Sequence, residues 1–287
     1  MLFDTGMHQT DSMSNLERAL AMCNLRLEDA RLVVCTHAHS DHCGQAVPIS
    51  QRAGCEVWMH PSHELMSRMV EDPEAVLARR LEVARQSGVP EEALRRYAAE
   101  HGKDSALQPG VVGPIVPDRE LVSGVTVGTD LGEWVAYETP GHSPSHVCLF
   151  QPERRLLISG DHLLGRISLY FEYGYSPDPV GEFLSSLDVV QRLGARLCLA
   201  GHGRTFTDVH AHIEGNRTLV REQLERTLQA LADGPLTAFE VATRVAGDSL
   251  SEQNAHWLIS QVLAGLTHLE AVGEARRLPG DPERWAA

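Results

Sequence analysis

Residues 36–44 read Thr-His-Ala-His-Ser-Asp-His-Cys-Gly and place three imidazoles and one carboxylate within six positions. The apolar, β-branched run Arg-Leu-Val-Val-Cys just before them predicts a buried strand. Side chains alternate as the chain leaves a strand, so His37 and His39 are expected on one side, where they can share a metal ion. A helix is predicted just after the stretch, so Asp41 and His42 break the alternation and can turn toward a second ion.

Three later motifs also carry metal-binding side chains, and each follows an apolar run typical of a strand. These motifs are Thr139-Pro140-Gly141-His142, Ser159-Gly160-Asp161-His162 and Ala200-Gly201-His202-Gly203. A single histidine is ordinarily a surface residue, but four ligand-bearing strand ends in this order can converge on one cleft. The pattern resembles the signature of the metallo-β-lactamase superfamily, a group of mostly hydrolytic enzymes with a binuclear metal site in an αββα sandwich.

The resemblance implies an α/β fold of this sandwich type over residues 1–213, with two sets of metal ligands. One ion would be held by His37, His39 and His142. The other would be held by Asp41, His42 and His202, with Asp161 bridging the two ions. Asp41 and Asp161 would also be catalytic, Asp41 by orienting the attacking hydroxide. Imidazole and carboxylate ligands suit zinc, the metal expected here, but also iron or manganese.

The first six residues, Met-Leu-Phe-Asp-Thr-Gly, resemble the strand and Asp-x-Gly turn of the superfamily. Asp4 would then orient a ligand histidine. Relatives normally have two or three strands ahead of this turn, and these are missing from the sequence. We therefore expect a short first sheet with an edge that must be covered or paired, for which a homodimer is one solution.

Residues 61–117 predict a helical insertion, because apolar side chains recur at helical spacing. Two interpretations stay open: outer-layer helices, or a lid whose methionine-rich face, including Met66 and Met69, contacts an apolar substrate. His60 and His63 are interpreted as surface or lid residues. The aromatic segment 169–175 follows Asp161 in the chain and is interpreted as either core or pocket wall.

Two further sets of residues are interpreted as supporting rather than reactive. His146 follows His142 closely and is expected to support the metal ligands. Six cysteines lack the spacing of a zinc knuckle or a disulfide framework, so we expect buried thiols, although Cys43 adjoins a proposed ligand.

Residues 214–287 predict a linker helix to about residue 232, a capping box at Thr237 and Glu240, a helix over 252–269 and a hairpin over 271–278. This order resembles a small winged-helix domain found after the catalytic domain in one branch of the superfamily. Residues 214–287 carry 11 acidic and 7 basic side chains. Packing, oligomerisation or cleft shaping is therefore favoured over nucleic-acid binding, which is disfavoured but left open.

The whole sequence has a formal net charge of −14, which argues against a general phosphate-binding surface. Neither a membrane-length apolar run nor a secretory signal is recognised, so no membrane partner and a cytoplasmic location are expected.

The predicted function is a binuclear metal-dependent hydrolase, in which a metal-bridging hydroxide attacks a small acyl substrate such as a thioester, lactone or ester. The alternative is a single-strand-specific endoribonuclease, suggested by the winged-helix branch and disfavoured by the acidity. A sulfur dioxygenase with one iron, or a non-catalytic regulator, fits less well because every ligand position is filled.

Overall fold

The computed structural model describes residues 1–64, 71–101, 110–247 and 255–287. Its first sheet has four parallel strands in the order β1-β2-β3-β4. They are β1 (Leu2–Phe3), β2 (Leu32–Val34), β3 (Glu56–Met59) and β4 (Arg119–Glu120). The predicted strand before the histidine-rich stretch is thus β2, and all its residues are buried.

The second sheet has five strands in sequential order, antiparallel from the first to the fourth and parallel between the last two. They are β5 (Thr126–Thr129), β6 (Gly132–Glu138), β7 (Val147–Gln151), β8 (Leu156–Gly160) and β9 (Leu197–Ala200). The carboxyl ends of β6, β8 and β9 lead into the three later ligand motifs.

The described α-helices, apart from a short turn after the first histidines, flank the sheets or follow them in the chain. They are α1 (Ser12–Met22), α2 (Ser40–Cys43), α3 (Ala46–Ala53), α4 (Pro73–Gln86), α5 (Glu91–His101), α6 (Pro179–Leu193), α7 (Val209–Ala230), α8 (Ala238–Ala246) and α9 (Ala255–Ala271). Short 3-10 helices lie at Leu27–Asp29 and Pro61–His63. None of the described helices is both long and apolar enough to span a membrane.

The alternation of side chains along β2 shows how the layers form. Val33 packs with Ile49 of α3 on the outer face of the first sheet, whereas Val34 packs with Trp134 and Leu149 of the second sheet. On the other side, α6 and α7 cover the outer face of the second sheet. The order of layers is therefore helix, sheet, sheet, helix, as predicted.

Strand β1 forms one edge of the first sheet. It pairs with β2 through Leu2 and Phe3, and the Phe3 ring lies 5.7 Å from that of Trp134 between the sheets. Within the described residues β1 is paired on one side only. The predicted short first sheet thus has four strands, with β1 as one edge.

The C-terminal residues form a separate apolar cluster with the helical insertion. Ile259 and Leu263 of α9 pack with Trp285, and Val83 and Val89 of the insertion pack against this cluster. Trp285 belongs to a hairpin of β10 (Arg276–Leu278) and β11 (Arg284–Ala286), which lies later in the chain than the predicted hairpin. The insertion therefore lies against the C-terminal segment. Met66 and Met69, on which the lid interpretation depends, are outside the described residues.

Helix α7 begins at Val209, five residues earlier than expected, because the Asp208 side chain accepts a hydrogen bond from Ala211 N at 3.0 Å. Its first half packs on the second sheet through Ile213 and Val220, while Leu228 and Ala230 join the C-terminal cluster. The helix thus connects the two parts of the molecule.

Two smaller expectations are wrong. His60 is buried rather than at the surface, because its ring accepts from Ser62 N at 3.1 Å and lies 3.1 Å from a Glu138 oxygen. Not all cysteines are buried: Cys23 is exposed, since it follows the last turn of α1 on the solvent side, and Cys55 is half-buried. Cys43 lies in the core against α3 rather than in the site.

Candidate metal centre

The backbone after β2 aims the first ligand residues in two directions. His39 is still extended, with φ −76° and ψ 146°, whereas Asp41 and His42 lie in the single turn of α2 that follows. The chain is fixed in place because Val147 N donates to Thr36 O at 2.8 Å and Ala38 N donates to Ser145 Oγ at 3.0 Å. The change from strand to helix therefore separates His37 and His39 from Asp41 and His42.

A first cluster is formed by three imidazole nitrogens. His39 Nδ1 lies 3.0 Å from His37 Nε2 and 3.0 Å from His142 Nε2. His142 donates its Nδ1 proton to Tyr170 O at 3.1 Å, which leaves a lone pair on Nε2. Three imidazole nitrogen atoms that converge in this way cannot all form hydrogen bonds with one another. Their lone pairs suit a shared cation.

A second cluster lies next to the first, on its open side. His202 Nε2 is 3.0 Å from Asp41 Oδ2 and 3.2 Å from His42 Nε2. His42 Nδ1 lies 2.8 Å from Asp4 Oδ2, and Asp4 also accepts from Thr36 N at 2.7 Å. This is the orienting role that the opening turn predicted for Asp4. The side chain of His202 is 51% exposed, so the cluster is accessible from solvent.

Asp161 lies between the two clusters. One carboxylate oxygen is 3.2 Å from His42 Nε2, and the other is 3.4 Å from His202 Nε2 and 3.7 Å from His142 Nε2. Its backbone N donates to His146 Nε2 at 3.1 Å, and the other nitrogen of His146 lies 2.8 Å from Thr139 Oγ1. His146 thus helps to hold Asp161 in place, which is the supporting position that the sequence predicted for it.

The seven sequence-predicted ligands are all brought together. Among the residues that the structure describes, potential ligand atoms within 4.8 Å of one another occur in three groups: His37, His39 and His142; His37, His42 and Asp161; and Asp41, His42 and His202. Five imidazoles and two carboxylates form a donor set that suits zinc, iron or manganese. The residues therefore fit divalent cations.

Burial and charge set the protonation of the metal-free site. Burial, assisted by the neighbouring imidazoles, lowers the pKa of His142 to about 3 and that of His37 well below its usual range. Burial also opposes the charged form of His42, but hydrogen bonds to Asp161 and Asp4 outweigh it and raise its pKa to about 10. His37 and His142 are therefore neutral near pH 7 and available to bind a metal.

The aromatic segment 169–175 forms a wall of the site. The Tyr170 ring lies 6.0 Å from His39, 5.7 Å from His142 and 5.5 Å from Trp257 of α9. Glu172, to which no sequence motif assigned a role, is buried with Oε2 3.5 Å from His39 Nε2. One sequence feature could have indicated Glu172: it is the single carboxylate in an aromatic segment that follows a ligand motif. Of the two interpretations, pocket wall is correct for Tyr170.

Helix α9 holds this wall from behind. Ser260 Oγ donates to Phe171 O at 3.0 Å and accepts from Tyr173 N at 3.3 Å, and Gln261 donates to Leu169 O. Residues 169, 171 and 173 thus bond to α9 through their backbone. Tyr170 and Glu172, which alternate with them, contact the candidate ligand histidines, and the Tyr170 ring also lies against Trp257 of α9. Residues 169–173 therefore connect the C-terminal segment to the candidate ligand histidines.

Comparisons with known proteins agree with this geometry. A model of the Metallo-beta-lactamase superfamily matches residues 1–202. The Probable metallo-hydrolase YqjP of Bacillus subtilis (strain 168) is 27% identical over 282 residues, which cover 94% of this chain and 84% of that protein. An Atrochrysone carboxyl ACP thioesterase of Aspergillus terreus is 27% identical over 165 residues, and the match covers 53% of this chain and 46% of that protein.

Solved structures extend the likeness to the whole chain. A metallo-beta-lactamase family protein from Thermus thermophilus is 27% identical with a TM-score of 0.82, over 99% of this chain and 88% of that one. A beta-lactamase domain protein from Burkholderia ambifaria is 25% identical with a TM-score of 0.81, and the match covers 99% of this chain and 82% of that one. With its ligand-bearing strand ends and a family match over residues 1–202, the chain belongs to the metallo-β-lactamase superfamily and is a hydrolase of that group.

Proposed function

We propose that the protein is a binuclear metallohydrolase of small acyl substrates, with thioesters as the first choice and lactones or esters next. The observation that carries the proposal is the position of Asp161, whose two oxygens reach ligand atoms of both clusters. His37, His39 and His142 would hold one ion, and Asp41, His42 and His202 the other. Zinc is the metal favoured by these ligands, with iron or manganese as alternatives.

The ions, when bound, would supply a hydroxide nucleophile from water near neutral pH and polarise the carbonyl oxygen under attack. Asp41 is 39% exposed and lies at the open side of the second cluster, where it can accept a proton and orient the attacking water. Water adds to the carbonyl carbon, the bond to the thiol or alcohol breaks, and a carboxylic acid and the thiol or alcohol leave.

The residues around the site favour direct attack by water over a covalent acyl intermediate. Cys35 and Cys43, which lie nearest in sequence to the ligands, are buried, and burial raises the pKa of both thiols well above its ordinary value. A thiol held neutral in the core is not a nucleophile. The chemistry therefore depends on the metal ligands.

Acyl substrates are favoured by the relatives and by charge. The relative from Aspergillus terreus is named an Atrochrysone carboxyl ACP thioesterase, although the chain spans about half of its length. The formal net charge of −14 works against a polyanion such as RNA. Unlike a polyanion, an acyl thioester does not require an extended basic surface on the protein that binds it.

The test compares the metal-reconstituted protein with its Asp161→Asn variant on a panel of thioesters, lactones and esters, with labelled single-stranded RNA beside them. We expect thioester hydrolysis that falls by at least about 100-fold in the variant, as for loss of a group that positions both ions. Circular dichroism confirms that the variant is folded. RNA cleavage that depends on Asp161, without acyl hydrolysis, would replace the proposal with an endoribonuclease.

A further inference from the structure

A cavity of about 110 Å³ adjoins the metal centre on the side of the aromatic wall. It is lined by Tyr170 and Glu172, both of which contact ligand histidines, and by Arg79, Ser260 and other residues of α4 and α9. The Arg79 guanidinium is already used, since it lies 4.6 Å from the centre of the Tyr175 ring and donates to Gly174 O. The lining of this cavity is mainly apolar, and the Glu172 carboxylate and the Arg79 guanidinium are among its polar groups.

A larger cavity of about 400 Å³ lies behind the first, between the helical insertion and the C-terminal segment. Its walls include half-buried apolar and aromatic side chains from α5, α8 and the preceding turn: Val89, Ala93, Leu94, Tyr97 and Phe239. Four charged residues also line it: Arg80, Glu92, Arg96 and Glu100. The volume is in the range of small-molecule sites, and a mainly apolar lining is typical of them. A hydrocarbon chain in such a space is stabilised because its apolar surface is removed from water.

The two cavities share three residues, Arg80, Ala84 and Ile259. Ala84 has the smallest side chain of the three and lies on α4, whereas Ile259 lies on α9. The cavity lining therefore continues from Tyr170 and Glu172, which contact the candidate ligand histidines, past these shared residues to the larger, mainly apolar space. This order fits a molecule with a polar reacting end and an apolar body.

We propose that the two cavities form the acyl-chain site of this enzyme. The reacting carbonyl lies at the metal centre, and an unbranched, medium-length hydrocarbon chain runs past Ala84 and Ile259 into the larger cavity. The proposal rests on the acyl hydrolase function and specifies its substrate class. The insertion and the C-terminal segment then set the chain length, which gives the contact between them a role in specificity.

The first measurement does not depend on catalysis. A dansyl-labelled undecanoate is titrated into the metal-free, full-length protein and into two matched leucine variants of the same helix. Ala84→Leu narrows the boundary between the cavities, whereas Ala78→Leu changes an exposed position of α4. We expect binding by the parent and by Ala78→Leu, and binding about tenfold weaker in Ala84→Leu, since excluding even two methylenes has this effect.

The second measurement uses N-acetylcysteamine thioesters with acyl chains from acetyl to dodecanoyl on the zinc-loaded protein. We expect kcat/KM to rise by about threefold per methylene until the cavity is filled. The ratio of long-chain to short-chain kcat/KM should fall in Ala84→Leu and stay unchanged in Ala78→Leu. If Ala84→Leu does not fold, Ala93→Phe at the far wall is the second variant. We expect it to shorten the acyl chain that is hydrolysed with the highest kcat/KM.

Two outcomes would overturn the acyl-chain site. One is hydrolysis of short thioesters with a kcat/KM that does not depend on chain length. The other is equal probe binding by the Ala84→Leu and Ala78→Leu variants. If no thioester is hydrolysed at all while the probe binds and Ala84→Leu weakens it, the proposed function fails and the apolar site stands on its own.

Discussion

Glu172 Oε2 lies 3.5 Å from His39 Nε2, on the other side of the imidazole from Nδ1, which contacts His37 and His142. The Glu172 side chain is buried, and its Oε2 makes no hydrogen bond within the described residues. A carboxylate at this position favours the proton on Nε2 and so keeps the lone pair of Nδ1 directed into the cluster. Glu172 therefore positions a ligand without being one.

We predict that Glu172→Gln weakens metal binding to the first cluster by about 10- to 100-fold, as is usual when an outer group that orients a ligand histidine is changed. The amide keeps the volume and loses the charge that orients His39. Zinc affinity is measured by competition with a fluorescent chelator. Glu133→Gln, an exposed change on β6, is the control. Equal affinities in the two variants would remove this role from Glu172.

Gly201 is required by the crowding around Asp161 and His42. A methyl group at this position would lie 2.4 Å from Asp161 Oδ1 and 2.8 Å from His42 Cε1. We predict that Gly201→Ala displaces both side chains and lowers kcat/KM by at least about tenfold, because small displacements of catalytic groups are costly. Gly128→Ala has no neighbour within 4 Å of the added methyl group and is the control. An active Gly201→Ala variant would show that the position of the Asp161 carboxylate is not critical.

Asp4 connects the start of the chain to the second cluster. It accepts from Thr36 N and lies against His42 Nδ1, and its own backbone has a positive φ of 58°, which asparagine tolerates. Asp4→Asn therefore removes the charge that orients His42 without straining the backbone. We predict that the variant retains the first ion and loses the second after dialysis, measured as metal per chain by mass spectrometry. Two ions per chain in Asp4→Asn would contradict this prediction.

The convergence of the proposed metal ligands could be predicted from sequence because each residue lies within a few positions of a strand end. His37, His39 and His142 depend only on where β2 and β6 stop, and the apolar runs mark those ends well. The sandwich follows from the same strands. Local pattern was sufficient wherever a side chain and the element that positions it are adjacent in sequence.

The remaining features depend on contacts between distant segments. Ser260 bonds to Phe171 and Tyr173 across almost 90 positions, and no local pattern indicates which helix will cover the aromatic segment. The sequence predicts a surface or lid position for His60, whereas the structure buries it against Glu138, on a strand of the other sheet. The domain boundary after residue 213 stays a prediction, since α7 crosses it and packs on both sides.

The hydroxyl of Ser260 lets us test whether α9 affects the metal centre. We predict that Ser260→Ala lowers kcat and weakens metal binding, because Phe171 O loses a donor and Tyr173 N an acceptor next to Tyr170 and Glu172. Thr267→Ala is the matched control, since the Thr267 hydroxyl donates only to Leu263 O within α9. The loss of stability should be about 1–2 kcal/mol. A loss of stability with unchanged kcat and unchanged metal affinity would limit Ser260 to a structural role.

Removing the metals should destabilise the fold as well as stop catalysis. The ligands come from strand ends of both sheets, so bound ions connect the two halves of the sandwich through His37 and His42 on one side and His142, Asp161 and His202 on the other. An ion that binds only the folded chain stabilises it by about 2.7 kcal/mol at 100 times its dissociation constant. We therefore predict a thermal midpoint that rises with free zinc. His202→Ala should reduce this rise, because it removes a ligand of the second cluster, whereas His210→Ala on the exposed face of α7 should not. A midpoint that does not respond to zinc or to chelators would mean that these residues do not hold a metal in the folded protein.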